Sequence, residues 1–168
     1  MTDEVDGILA AWRVERPDLD VSPMAVLSRV ARLADVLSER RAEVFARHQL
    51  LAYEFDVLAA LRRAGEPYEL TPGGLVTATH VTSGTMTNRV DKLVDKKWVR
   101  RRADGEDGRV VRVRLTALGR RRIDAALADL LEAERTLLAV LPPTAQTRLA
   151  AALRTVTTAA EAAAARPR

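Results

Sequence analysis

The sequence predicts a mainly α-helical chain with one short, basic β-hairpin set between helices, and three observations predict it. Apolar residues recur at helical spacing over long stretches near both ends of the 168-residue chain. A compact run of cap residues and short apolar periods occupies positions 70–95. After that run, Val111, Val113 and Leu115 alternate with Arg112 and Arg114, the period of a strand with one apolar and one basic face. Helix, turn, helix, hairpin, helix is the order of a winged helix-turn-helix. That device sets one helix in the DNA major groove and a two-stranded β-wing against the neighbouring backbone.

Each element has a local cause. Asp3 to Arg16 can form a first helix, with Trp12 inside it. From Pro23 to about Arg47, Val26, Val30, Leu33, Leu37 and Val44 share one stripe of a long helix. The apolar run Leu50–Leu58 carries a charge, Asp56, in its interior. Thr71 can cap a helix whose first position is Pro72, where the missing N–H costs nothing. Thr82 or Ser83 can cap the next one, on which Met86, Val90 and Leu93 face the core. Its opposite face carries Gly84, Thr87, Asn88 and Asp91, with Thr85 and Arg89 on the flanks. Asp104-Gly105 and Asp107-Gly108 supply the hairpin turn, and Arg109 sits near the tip.

The rest is helical. Thr116 to about Leu141 presents Ile123, Leu127, Leu130 and Leu131. Pro142-Pro143 breaks the chain, and Thr144 to about Ala165 forms an Ala-rich helix with Leu149, Leu153 and Val156. These outer helices exceed what a winged helix needs to fold. Their stripes suit dimerisation, with a monomeric bundle as the alternative. The expected division is 1–50 for ligand and dimer helices, 51–116 for the DNA-binding module and 117–168 for C-terminal dimerisation helices.

Charge points the same way. Between Thr71 and Thr116 lie ten basic and five acidic residues, a net +5, against +4 for the whole chain, so the remainder carries −1. A basic module on a neutral body is the footprint of a nucleic-acid binder. Small hydroxyl and amide side chains suit an exposed DNA-reading face. Candidate DNA contacts are therefore Thr82, Ser83, Thr85, Thr87 and Asn88 on the helix, Lys92 on its flank, and Arg109 and Arg112 on the wing. Alone, that hairpin is equally a solvated basic loop. Zero cysteines and two histidines (His48 and His80) leave no thiol chemistry and no multi-histidine metal site. No cofactor is called for. No nucleophile–base pairing or phosphate-cradling loop is visible, so an enzyme is not expected. Without a signal peptide or membrane span, the expected location is cytoplasmic.

These residues resemble the MarR family of bacterial transcriptional regulators. The resemblance rests on Leu70-Thr71-Pro72, on the run Thr82 to Leu93, on Arg101-Arg102-Ala103-Asp104 with Asp107-Gly108-Arg109, and on Arg114-Leu115-Thr116 with Gly119-Arg120. It covers about two thirds of the chain. Two positions depart from the family pattern: Gly108 stands where Arg is usual, and Lys97-Trp98 where Gly-Leu is usual. The first removes a wing phosphate contact, and the second a helix C-cap glycine.

A finer resemblance is to the family members that respond to urate and small carboxylates and carry an extra N-terminal helix. It implies a ligand site of Trp12, Asp56, Arg89 and Arg101. Each has another reading: Trp12 as a core or dimer anchor, Asp56 as a solvated residue or partner of Arg89, Arg89 as a phosphate contact, and Arg101 as one of three adjacent arginines. The resemblance implies a homodimeric repressor of a pseudo-palindromic duplex operator, released by a small anionic ligand. A constitutive dimeric DNA-binding or architectural protein is the alternative.

Overall fold

The computed structural model describes residues 2–104 and 110–165. Ten elements follow one another: α1 (Glu4–Glu15), α2 (Ser22–Arg47), α3 (Ala52–Arg63), β1 (Glu69–Leu70), α4 (Pro72–Thr79), α5 (Ser83–Asp95), β2 (Val99–Asp104), β3 (Val110–Leu115), α6 (Ala117–Leu138) and α7 (Pro143–Ala164). The fold is mainly helical with a small antiparallel sheet, as expected. The expected two-stranded wing is β2 and β3, and a short further strand joins it to give the order β1-β3-β2. β1 is only two residues long and pairs Glu69 with Arg114 and Leu70 with Val113. Two residues are too few to show a period, so the sequence carried no strand signal there. The hairpin tip, with Arg109 and the turn pairs beyond Asp104, lies outside the described residues.

The chain forms two compact units, one up to Leu127 and one from Ala128. In the first, Leu58 and Leu61 of α3, Leu75 of α4, Met86, Val90 and Leu93 of α5, Val99 and Val113 of the sheet and Ile123 of α6 are fully buried. The three α5 residues are those the helical period assigned to the core. A satellite cluster of Val5, Leu9 and Val21 packs α1 on α2. Ion pairs from Arg29 to Asp3 and Asp6, and from Arg32 to Glu4, frame it. In the second unit, α7 starts at Pro143, one residue earlier than expected. Gln146 turns back to donate to the carbonyls of Leu138 and Leu141, capping the end of α6.

Thr71 caps α4 as expected, its Oγ1 accepting from Gly74 N–H at 3.1 Å. Thr116 does more. Its Oγ1 accepts from Gly119 N–H and donates towards the carbonyls of Lys97 and Trp98, tying the start of α6 to the entry of β2. Gly119 is required there, because a Cβ would lie 2.1 Å from the Trp98 carbonyl oxygen.

The helix ends depart most from local rules. At the end of α5, position 97 lacks the C-cap glycine usual in the family. Instead Lys97 itself adopts the left-handed conformation, φ 59°. Lys97 N–H donates to Val94 O, and Trp98 N–H to Leu93 O. Those two bonds make a Schellman motif. Gln49 (φ 56°) ends α2 with the same pair of bonds, to Ala46 and Phe45, and His80 (φ 53°) ends α4. Side chains at these positions cost about 1–2 kcal/mol each relative to the right-handed form. Lys97→Gly is therefore expected to stabilise the chain by about 1 kcal/mol. Thermal unfolding should show a rise in Tm, and a fall would mean that position 97 is not left-handed in solution.

Candidate nucleic-acid interface

The outer face of α5 is polar because its inner face is wholly committed to the core. Thr82, the N-cap, and Ser83, Thr85, Thr87, Asn88 and Lys92 are all exposed. Two hydroxyls are used locally: Thr82 Oγ1 bonds Thr85 Oγ1 at 2.9 Å, and Thr87 Oγ1 donates to Ser83 O at 3.2 Å. The Asn88 amide has no hydrogen-bond partner among the described residues, so both its donor and its acceptor are available to a base edge. Lys92 is partly engaged, its Nζ lying 5.9 Å from the centre of the Tyr53 ring.

The sheet divides its arginines by alternation. Arg101 pairs across the hairpin with Val113, which is fully buried, and so shares its face. From there Arg101 Nη1 donates to Asp91 Oδ1 on α5 at 2.5 Å. Arg100, Arg102, Arg112 and Arg114 occupy the other face in two cross-strand pairs. Arg112 is half-buried and its Nε lies 3.8 Å from Glu69 Oε1.

Two of the four residues implied as a ligand site, Asp56 and Arg89, meet electrostatically. Burial pushes the Asp56 carboxyl above its ordinary value, while Arg89, Arg63 and Arg41 pull it back. The Arg89 guanidinium stands 5.2 Å over the Tyr53 ring. Arg101 is joined through Asp91 to α5, the helix that carries Arg89. Trp12 is 46% exposed, and among the described residues no hydrogen bond, ion pair or ring contact links it to the other three. Neither core anchor nor completed pocket describes Trp12 within a single chain.

Two residues that hold this region were missed in the sequence. Glu54 is completely buried. It accepts from Lys96 Nζ at 2.6 Å, from Leu51 N–H at 2.9 Å and from the Tyr53 hydroxyl at 3.4 Å. Its signal was present, because a glutamate three residues into a helix reaches back to the N-cap N–H. Tyr53, beside it, supplies the ring on which Arg89 and Lys92 rest. Burial, then the Glu54 charge, raise the Tyr53 hydroxyl pKa, so the ring stays neutral. Among the described residues no group of three His, Cys, Asp or Glu is placed to hold a metal, and no helix is long and apolar enough to cross a membrane.

Comparison with known proteins agrees with this geometry. The MarR family model matches residues 48–110, from the end of α2 to the start of β3. The HTH-type transcriptional regulator PecS of Dickeya dadantii (strain 3937) is 38% identical over 150 residues, covering 89% of this chain and 90% of its own. Among solved structures, a cysteine-to-serine mutant of MarR from Escherichia coli superposes with a TM-score of 0.65 at 25% identity, over 79% of this chain and 96% of that one. AbsC of Streptomyces coelicolor has the same fold, with a TM-score of 0.75 at 17% identity over 86% and 97%. Regulators of this kind bind DNA and act as dimers, and these relatives are not enzymes. With its polar-faced α5, its basic hairpin and this similarity over nearly its whole length, the chain belongs to the MarR family of transcriptional regulators.

Proposed function

We propose that the chain is a dimeric repressor that leaves a pseudo-palindromic operator when a small anion, urate or a carboxylate, binds. The observation that carries this reading is the Arg101–Asp91 ion pair. It ties the base of the wing to the reading helix. An anion that competes for the Arg101 fork removes a partner from Asp91 and releases that tie. Asp56 and Arg89 form the second half of the device. An anion approaching Asp56 raises the energy of its ionised form, and Arg89 passes the change to α5. Ligand binding then favours the geometry that does not fit DNA, which is a population shift.

The proposed division of labour places ligand and dimer helices in 1–50, DNA reading in 51–116 and further dimerisation in 117–168. Its support is the apolar surface left uncovered in one chain: Val26, Val30 and Leu33 on α2, and Leu149, Leu153 and Val156 on α7 are all 38% exposed or more. Exposed stripes of this kind mark protein interfaces. A second reading, a constitutive DNA-binding protein, is favoured by one fact: Trp12 stands apart from Arg101, Asp56 and Arg89 in the single chain.

The two readings separate in a gel-shift on the intergenic DNA beside the gene, with urate, citrate, aconitates and aromatic acids. The aromatic set includes 6-hydroxynicotinic acid, which regulates DNA binding by BpsR of Bordetella bronchiseptica. Release by at least one anion, with a dimer by light scattering, is the expected result. Retention of DNA throughout would leave the constitutive reading.

On the operator, Asn88→Ala is expected to cost about 1–3 kcal/mol and to spare affinity for random duplex. Lys92→Ala should weaken both alike, as a phosphate contact does. Equal losses for Asn88→Ala on both DNAs would remove its reading role.

Arg101→Ala should lower affinity for the releasing anion by about 1.5–3 kcal/mol in calorimetry, the worth of a charge-assisted hydrogen bond. Asp56→Asn should bind the anion at least as well and yet stay on DNA at saturating ligand. Normal ligand affinity in Arg101→Ala together with normal release in Asp56→Asn would place the pocket elsewhere.

A further inference from the structure

A cleft of about 440 Å³ opens where Tyr68, the hairpin base and the first turn of α6 meet. Its walls include Arg100 of β2, Arg114 of β3 and Arg120 of α6, with Thr116 at the start of that helix and Glu66 at the edge. Arg100 and Arg114 are directly opposed on the sheet face that does not look at α5. Their row is four pairs in from the Asp104–Val110 end, roughly 13 Å at the rise of a strand. The cleft is therefore separate from both the reading helix and the residues of the proposed operator response.

The electrostatics of this cleft are unfavourable as it stands. Like charges directly opposite on neighbouring strands repel. A cation in the first turn of a helix opposes the macrodipole, and Arg120 occupies such a place on α6. None of the three guanidiniums has an ion pair among the described residues. Glu69, opposite Arg114 on β1, approaches Arg112 instead, and its Oε2 accepts no hydrogen bond. Glu66 is engaged by the Tyr68 hydroxyl at 3.3 Å. Tyr68 is itself held at φ 60°, unusual for a bulky residue, with its ring 5.6 Å below Arg120. Backbone strain of this kind gathers at binding sites.

Three arginines less one glutamate leave a charge near +2. A phosphate monoester, at about −1.5 to −2 near neutral pH, matches it, and a pyrophosphate group carries at least as much charge. Guanidinium forks bind phosphate oxygens in pairs, and the volume falls within the range of small-molecule pockets, about 300–1,000 Å³. We infer that the cleft formed by Arg100, Arg114 and Arg120 beside Tyr68 is a second effector site, for a small phosphorylated molecule. Occupancy clamps both strands of the wing base to the start of α6.

The test is calorimetric titration of the full chain with inorganic pyrophosphate, at ionic strength held constant with sodium chloride. Saturable binding is expected, weakened about tenfold or more in Arg114→Gln and in Arg120→Gln, the loss of one charge-assisted contact. Arg101→Ala and Asp56→Asn should bind pyrophosphate as the unaltered chain does, so this site and the one proposed for urate or carboxylates fail independently. Both glutamine variants relieve repulsion, and circular dichroism melts should show them folded. Pyrophosphate binding that is absent, non-saturable or unchanged in the Arg114→Gln, Arg120→Gln double variant overturns the inference. So does a loss of affinity for operator and random duplex alike with no effect on pyrophosphate, which would make the arginines DNA-backbone contacts.

Discussion

The orientation of the reading helix depends on one buried carboxylate. Glu54 has no exposed surface, and its charge is met by Lys96 at the C-terminal end of α5 and by the N–H of Leu51 at the head of α3. Apolar contacts between two helices tolerate sliding, because dispersion is not directional. A salt bridge of 2.6 Å with one partner buried does not. Removing one member of such a pair costs about 3–5 kcal/mol where both are buried. Lys96 is partly exposed, so the cost here is smaller. The link continues outward: Lys96 Nζ lies 4.6 Å over the Trp98 ring, Arg122 lies 5.2 Å from the same ring, and Arg122 donates to the carbonyl of His48. The end of α2, the head of α3, the end of α5, the entry of β2 and α6 are thus joined through one indole and one carboxylate.

Much of the first unit was legible because its signals are local. Thr71-Pro72 marks a helix start wherever it occurs, and Met86, Val90 and Leu93 leave α5 only one way to face. The hairpin alternation was equally plain in Val111, Val113 and Leu115. The register was not legible, since two Asp-Gly pairs competed for the turn. Without register, nothing in Arg100-Arg101-Arg102 says which arginine faces α5, and the family resemblance alone singled out Arg101. Glu54 and Tyr53 were hidden by their neighbours, because Asp56 is the more conspicuous charge in that apolar run. In the structure Asp56 keeps exposed surface although its carboxyl is partly desolvated, and Glu54 is the fully buried one. Trp12 shows the opposite limit. It is half exposed, and among the described residues no hydrogen bond, ion pair or ring contact joins it to Asp56, Arg89 or Arg101.

The pairing of Arg101 with Asp91 links the base of the wing to α5 on this side, while Tyr53 gives Arg89 and Lys92 a common rest on α3. α5 is therefore held from two sides, one through the sheet and one through α3. The arginines of the sheet are divided by its pleat: alternation forces every second one away from α5. In a module with a net charge of +5, four strand arginines, Arg100, Arg102, Arg112 and Arg114, turn away from α5, and among the described strand residues Arg101 is the arginine on its side.

Lys97, Gln49 and His80 end their helices in a backbone conformation that each would avoid in a short peptide. The stops are imposed from outside, by Trp98, Leu50 and the packing around them. The reading helix is consequently not a transplantable part. Excised as a peptide, or grafted onto another scaffold with its sequence intact, α5 has no reason to finish at Asp95, and Lys96 would have no buried carboxylate to find. Exchange of specificity between such proteins is then a matter of replacing exposed residues on an intact frame, not of moving the helix that bears them.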